Sequence, residues 1–353
     1  MTFVVPCYNY AHLLGECVRS ILVQDYENVE VLIMDNCSPD NTPEVARSFD
    51  DSRVSHIRND SNLGGEQNFN KGLTLAHGKY VWILSADDLL RGPSVLRRFV
   101  DVMEQNADLG FTFCRAMEFD GEKERGLIWW ADCGDQDRTW DKSTFVPRLI
   151  EFNCVAFSCL LLRKECVNRV GMFATDLPFA ADWFLWITLA MRYGVHYLAE
   201  PMVLSRVHKD SLTSQQSQDY ARVCMGDELD ILWRVRQEAK LAQRADLRDA
   251  CWSGLIHRAK RCLLAGTSAT EFAEILQSRI PDRKAAKDLE ALAYRDLAEQ
   301  HYGKGDYVLA TESYRLSLQA RPFHPGTLAK YLFMRTGEMG VRMRKMAHQA
   351  RKL

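Results

Sequence analysis

The chain has 353 residues, 47% of them apolar, a size and composition that suit two globular units better than one. With 45 basic against 47 acidic residues the net charge is −2, so no overall field recruits nucleic acid. The eleven cysteines form no C-x-x-C pair and no zinc-like spacing with histidine; set in apolar runs such as CVAFSCLLL (154–162), they read as reduced, buried thiols of a cytosolic protein.

The opening MTFVVPCYNY runs straight into a strand without the features of a secretory leader. No apolar run approaches the roughly 20 residues that span a bilayer, so a cytoplasmic protein, soluble or peripheral at the membrane inner face, is expected. Four short β-rich runs follow in order: FVV (3–5), VEVLIM (29–34), VSHI (54–57) and YVWIL (80–84). Between the first two, HLLGECVRSILVQ (12–24) sets Leu13, Leu14, Cys17, Val18, Ile21 and Leu22 on one helical face. Thr42 before Pro43 and Glu44 reads as a hydroxyl N-cap opening a helix, and 66–77 and 93–105 are the next helices. Strands that are apolar throughout and alternate with helices predict a parallel sheet covered on both faces.

In open α/β sheets, ligands bind beyond the carboxyl ends of the strands. Those ends here carry Pro6, Cys7, Tyr8 and Asn9; Asp35 and Asn36; Arg58, Asn59 and Asp60; and Ser85, Ala86, Asp87 and Asp88. Polar groups from four separate runs therefore converge on one edge. A Rossmann dehydrogenase is disfavoured, because no G-x-G-x-x-G follows the first strand.

Four ordered blocks then carry a resemblance: residues 5–42, NLGGEQNFNKGLTLAHGKYVWILSADD (62–88), GMF to AADWFLWITLAMRYG (171–194) and SRVHKDS (205–211). Over about residues 1–215 the chain resembles the family 2 glycosyltransferases. The resemblance implies a GT-A fold (Rossmann-like, a mostly parallel sheet flanked by helices) and transfer from a nucleotide-diphosphate sugar, a UDP- or dTDP-sugar, to a hydroxyl of a glycan or lipid-linked glycan. By the same match Asp35 would accept the imide N–H of uracil or thymine, and Pro6, Tyr8, Asn9, Arg58, Asn62 and Gly64 would line the donor site. The family's metal motif is Asp-x-Asp, but here it reads Ser85-Ala86-Asp87, so Asp87, assisted by Asp88 and the late His208, would hold Mg²⁺ or Mn²⁺ against the diphosphate. Ser85 offers the donor only a neutral hydroxyl. Arg206 would neutralise phosphate charge. Asp182 would be the base that takes the acceptor's proton in an inverting displacement, without the second acid that many relatives carry where this chain has Ala181. The loop 126–140 offers Trp129, Trp130 and Trp140, whose indole faces suit either sugar stacking or ordinary packing.

From about Tyr220 the pattern is helical, with stretches at 223–266 and 269–290. The window 294–322 resembles a tetratricopeptide repeat, with Tyr294, Leu297, Ala298, Gly305, Tyr307, Ala310, Tyr314 and Pro322 at matching offsets. The expected division is a GT-A domain (1–215), an all-α helical domain (216–333) that supports the fold or recruits a protein partner, and a basic tail (334–353) suited to weak peripheral membrane contact. A non-catalytic nucleotide-sugar-binding protein that recruits partners through its helices is the alternative reading.

Overall fold

The computed structural model describes residues 1–208, 220–322 and 324–335. Its contacts divide the chain into two units, Met1–Ser217 and Gln218–Leu353.

The first unit opens with strict alternation of strand and helix. It runs β1 (Thr2–Cys7), α1 (Ala11–Leu22), β2 (Glu30–Asp35), α2 (Thr42–Arg47), β3 (Val54–Arg58), α3 (Gly65–Leu75) and β4 (Tyr80–Ile83), each within a few residues of its expected place. Four strands lie parallel in the order β3-β2-β1-β4, with Cys7 beside Asp35 and Asp35 beside Arg58. All four therefore end at one edge. Side-chain alternation along β1 fixes what covers each face. Phe3, Val5 and Cys7 join Leu14, Cys17, Val18 and Ile21 of α1 in one buried cluster. Val4 points the other way, onto α3 at Gly72. Full burial of such side chains contributes about 1.5–3 kcal/mol each.

Beyond β4 the sheet becomes mixed. β5 (Leu89–Leu90), α4 (Val95–Gln105), β6 (Leu109–Phe119), β7 (Glu124–Leu127), β8 (Arg138–Trp140), α5 (Val146–Glu151), β9 (Leu160–Arg163), α6 (Lys164–Val170), α7 (Ala181–Arg192) and β10 (Gly194–Arg206) follow in the chain. β9 pairs antiparallel with both β4 and β6, and β10 runs parallel to β6. The mostly parallel sheet that was expected is therefore found, with β9 entering against its neighbours and joining the parallel block to the pair β6–β10. Thr42 also differs from its expected role. It is the first residue of α2 and makes no side-chain cap; its hydroxyl donates to Asp40 Oδ1 (2.6 Å), and the Thr42 and Ala11 N–H groups also bond the Asp40 carboxylate.

The second unit contains α8 (Tyr220–Leu241), α9 (Ala245–Leu264), α10 (Ala269–Arg279), α11 (Arg283–Lys304), α12 (Tyr307–Ala320) and α13 (Pro325–Arg335). The stretch expected at 223–266 is two helices broken at 242–244, and that at 269–290 breaks around Pro281. Asp282 restarts the chain as an N-cap, accepting from the N–H groups of Lys284 and Ala285. Between α11 and α12, Gly305 closes the first helix at φ +84°, a left-handed turn that glycine takes without strain. Ala298, Ala310, Tyr314 and Met334 then form a small core across α11, α12 and α13. The basic tail beyond Arg335 lies outside the described residues.

Candidate functional site

The carboxyl ends of β1 and β2 turn through strained backbone. Asn9 and Cys37 both take φ +62°, a left-handed region that L-residues other than glycine enter at some energetic cost. Ser38 ties the two turns: its Oγ accepts Asn9 N–H (3.2 Å), and its own N–H donates to Asp35 Oδ1 (2.8 Å). Asp35 is fully buried, and its other oxygen takes Arg58 Nη1 (2.6 Å) and lies 3.2 Å from His56 Nε2. Burial alone would raise this carboxyl, but the bonds from Ser38, Arg58 and His56 outweigh it and hold Asp35 below its ordinary range. Arg58 also donates to the Ser38 carbonyl, so it braces the β2 turn as well as the acid. Pro6 lies in β1 opposite Met34, and Tyr8 is half exposed.

A buried asparagine network holds the next loop. Asn36 Nδ2 donates to Asn62 Oδ1 (2.8 Å) and to the Gly64 carbonyl (3.2 Å), while its Oδ1 accepts Leu63 N–H (2.9 Å). Asn59 donates to Asn36 (3.0 Å) and Asn68 (2.9 Å), and Asn68 donates to the Met34 carbonyl (3.0 Å). Asn62 and Gly64, expected in the donor site, are therefore held by Asn36, one residue from Asp35. Gly64 sits at φ +83° and lets the chain enter α3 there.

Ser85 to Asp88 form a tight turn closed by Asp88 N–H to the Ser85 carbonyl (2.9 Å). The two acids of this turn have different surroundings. Asp88 is buried and accepts Arg206 N–H (2.9 Å) together with the Ser158 and Ser205 hydroxyls; burial, then the adjacent Asp87 charge, pushes it up to about 7 against those bonds. It staples the end of β10 to the turn. Asp87 instead lies 3.0 Å from His208 Nε2, and the His208 ring meets Tyr10 edge to face at 5.4 Å. Arg206 stacks on Phe119, donates to the Asp87 carbonyl (3.0 Å) and pairs with Glu16 (2.7 Å). Ala86 is buried in the core, and the Ser85 N–H is taken by Ser158 Oγ (3.1 Å).

As a metal site, the pair of Asp87 and His208 has a suitable donor set. A hard carboxylate oxygen suits Mg²⁺ or Mn²⁺, and of the two Mn²⁺ accepts an imidazole nitrogen more readily. Two adjacent ligands of an octahedral ion at about 2.1 Å stand about 3 Å apart, the separation found here. Among the described residues no three His, Cys, Asp or Glu side chains gather as a cage, so the remaining positions would fall to phosphate oxygens and water.

Asp182 opens α7. It accepts Trp183 N–H (2.6 Å) and Asn153 Nδ2 (3.2 Å). Burial pushes it up to about 6; the two bonds oppose this, and the charge of Glu66 in the first turn of α3 adds to it. Asn70, one turn along from Glu66, clamps α3 to the segment before α7 through paired bonds with Phe173 N–H and carbonyl, both 2.9 Å.

Two sets of contacts emerge. Asp35 is linked through Asn36 to Asn62 and Gly64, and through Ser38 to Asn9, whose neighbour Tyr10 meets His208, the partner of Asp87, while Ser158 holds Ser85 in the same turn. Asp182 stands with Asn153 and Trp183 and feels the charge of Glu66. His56, Asn68 and Asn153 are residues that sequence reasoning passed over, whereas Asn36 and Asn59 were read only as strand-end polar groups. His56 had a legible signal: it precedes Arg58 by two on β3 and so shares its face. Of the three tryptophans, Trp140 packs on Phe145 and Trp130 on the core, whereas Trp129 is 82% exposed.

Residues 2–171 match the model of glycosyl transferase family 2. The first unit is thus similar to family 2 glycosyltransferases over most of its length. The glycosyltransferase GlyG of Streptococcus pneumoniae serotype 4 is 34% identical over 111 residues, which are 31% of this chain and 37% of GlyG. The matched stretch thus spans little more than a third of that relative. The crystal structure of S. aureus TarS 1–349 in complex with UDP-GlcNAc superposes with a TM-score of 0.62 at 17% identity, over 89% of this chain and 91% of that one. The mannosyltransferase PcManGT from Pyrobaculum calidifontis, in complex with GDP-Man and Mn²⁺, superposes at 0.53 with 19% identity, over 94% and 86%. The glycosyltransferase domain therefore has the GT-A architecture, a mixed, mostly parallel sheet with flanking helices, and a helical region follows it. Among the described residues no helix is long and apolar enough to cross a membrane.

Proposed function

We propose that the protein is an inverting glycosyltransferase that moves a sugar from a UDP- or dTDP-sugar to a hydroxyl of a glycan or lipid-linked glycan. The observation that supports this reading best is the meeting of strand-end groups: Asp35, kept ionised, shares Ser38 with Asn9, and the ring of the neighbouring Tyr10 meets His208, the partner of Asp87. The carboxyl of Asp182, raised to about 6, suits a proton acceptor. The complexes of TarS with UDP-GlcNAc and of PcManGT with GDP-Man and Mn²⁺ add that this fold accommodates such donors.

In this reading Asp35, kept ionised by Ser38, Arg58 and His56, accepts the imide N–H of the base, and Pro6, Tyr8 and Asn9 flank it. Asn36 holds Asn62 and Gly64 as the wall over the donor. Asp87 and His208 hold Mg²⁺ or Mn²⁺, which when bound neutralises the diphosphate as a leaving group. Arg206 anchors the Asp87 backbone. Asp182 takes the proton of the acceptor hydroxyl as that oxygen attacks the anomeric carbon from the face opposite the diphosphate. Raised towards neutrality, it is a better proton acceptor than an ordinary aspartate while remaining mostly ionised above its midpoint.

The test is release of nucleotide from a panel of UDP-, dTDP- and GDP-sugars with Mn²⁺. Release that disappears in Asp182→Asn and in Asp87→Ala supports the transferase. Nucleotide binding that survives both changes, with no turnover of any donor by the unaltered protein, would leave the binding-protein alternative standing.

A further inference from the structure

Three phenylalanines cluster beside the candidate site, and the transfer step leaves them unused. The rings of Phe69 on α3, Phe157 before β9 and Phe173 before α7 meet pairwise, with centroids 5.0, 5.4 and 6.1 Å apart. Phe173 is buried, whereas Phe69 and Phe157 are each half-buried, so part of both side chains reaches solvent.

Direct contacts fix three sides of the cluster, and each belongs to a different part of the site. Phe69 lies against the loop at Gly65, the residue after Gly64, where an added Cβ would stand 3.2 Å from its Cζ. Phe157 directly precedes Ser158, whose Oγ accepts Ser85 N–H (3.1 Å) in the turn of Asp87. Phe173 meets Trp186 edge to face at 6.0 Å, and Trp186 stands one turn after Asp182 on α7, hence on the same face. The half-buried pair is thus bounded by the Gly64 loop, the Asp87 turn and the helix of Asp182. On the transferase reading, on which this inference rests, Asp87 serves the departing diphosphate and Asp182 the attacking hydroxyl. The anomeric carbon then lies between them, and the part of the donor that comes to these rings is its sugar.

The polar groups beside the rings are already engaged. Both arms of the Asn70 amide are spent on the N–H and carbonyl of Phe173 (2.9 Å each), and the Ser158 carbonyl accepts Trp82 Nε1 (2.7 Å). A hydroxyl laid on the phenyl faces would leave water without gaining a partner, whereas a methyl group there gains apolar contact. We propose that Phe69 and Phe157 receive the donor's sugar and select a 6-deoxyhexose over the hexose that carries a hydroxyl at C6. C6 projects furthest from the sugar ring, and there the loss of one oxygen leaves a methyl.

The experiment gives the full chain matched UDP and dTDP donors, glucose against 6-deoxyglucose and galactose against 6-deoxygalactose. Nucleotide release and calorimetric affinity are measured with Mn²⁺. The 6-deoxy member of at least one pair should be preferred by about tenfold to a hundredfold, the range an apolar pocket achieves against an added hydroxyl. Phe69→Asn and Phe157→Asn, which offer that hydroxyl a partner, should each shrink the ratio several-fold while UDP and dTDP alone bind as before. A merely structural role would weaken nucleotide and both donors together and leave the ratio unchanged. Equal use of both members in both pairs, a preference for the hydroxylated members, or a ratio untouched by either variant overturns the proposal and leaves the transferase reading intact. No binding of UDP or dTDP and no release from any donor would remove that reading, and this inference with it.

Discussion

Replacing Asp182 with asparagine should stabilise the protein at neutral pH while abolishing transfer. Burial moves this carboxyl from its ordinary 3.8 to about 6. Between those values the folded chain binds more protons than the unfolded chain, so stability falls as pH rises through that window and is level on either side. The gap of about two pH units, at about 1.4 kcal/mol each, amounts to a penalty of about 3 kcal/mol once the group is ionised. That shift already includes the opposing bonds from Trp183 N–H and Asn153, so an amide that matches the protonated acid should recover up to about 3 kcal/mol in Asp182→Asn. For a unit of this size this is roughly 6–12 °C in melting temperature. Thermal melts of both proteins from pH 3.5 to 8 provide the assay: the curves should coincide near pH 3.5 and separate above pH 6, with the variant higher. A difference that does not change with pH, or a variant less stable at pH 8, refutes the reasoning, because burial would then not be the cause of the shift.

Other expectations can be checked directly. Asp87→Ala and His208→Ala should each weaken Mn²⁺ binding in the presence of UDP by roughly tenfold or more, measured by calorimetry; unchanged affinity in both would exclude this pair as ligands. Gly72→Ala would place a Cβ 2.4 Å from Val4 Cγ1 and 3.2 Å from Met34 Cγ. It should lower stability by about 1–3 kcal/mol in denaturant melts despite better helix propensity, with Val4→Ala in the same chain restoring part of the loss. Asn68→Ala strips the Met34 carbonyl and Asn59 of buried partners and should cost about 1–3 kcal/mol; a neutral result would mean water takes over the network.

The first half of the fold was legible because each of its strands announces itself locally. FVV, VLIM and YVWI are continuous apolar runs between helices with an apolar stripe, and that pattern admits few arrangements. The mixed part was not. β9 is a four-residue LLLR segment whose antiparallel direction depends on its neighbours β4 and β6, both distant in sequence. The break at Pro281-Asp282 was readable in principle, since proline followed by a capping acid interrupts a helix and starts the next. Of the site, the ionisable residues were visible as strand-end acids, and the family pattern singled out Asp182. Asn36, Asn59 and Asn62 were visible one by one, but their mutual bonds and the part of Asn68 were not, because an isolated Asn has no local signature of its partner; only the fold brings the four together.

The left-handed backbone at Asn9 and Cys37 bears on which changes this surface tolerates over generations. Asparagine visits that region more readily than most side chains, and glycine takes it freely. Position 37 should therefore accept glycine or asparagine with a gain of folding energy on the order of 1 kcal/mol, whereas valine, isoleucine or threonine at either position should be purged. Variation at these two turns is thus confined to a very short alphabet by stereochemistry, whatever sugar the surrounding pocket comes to prefer.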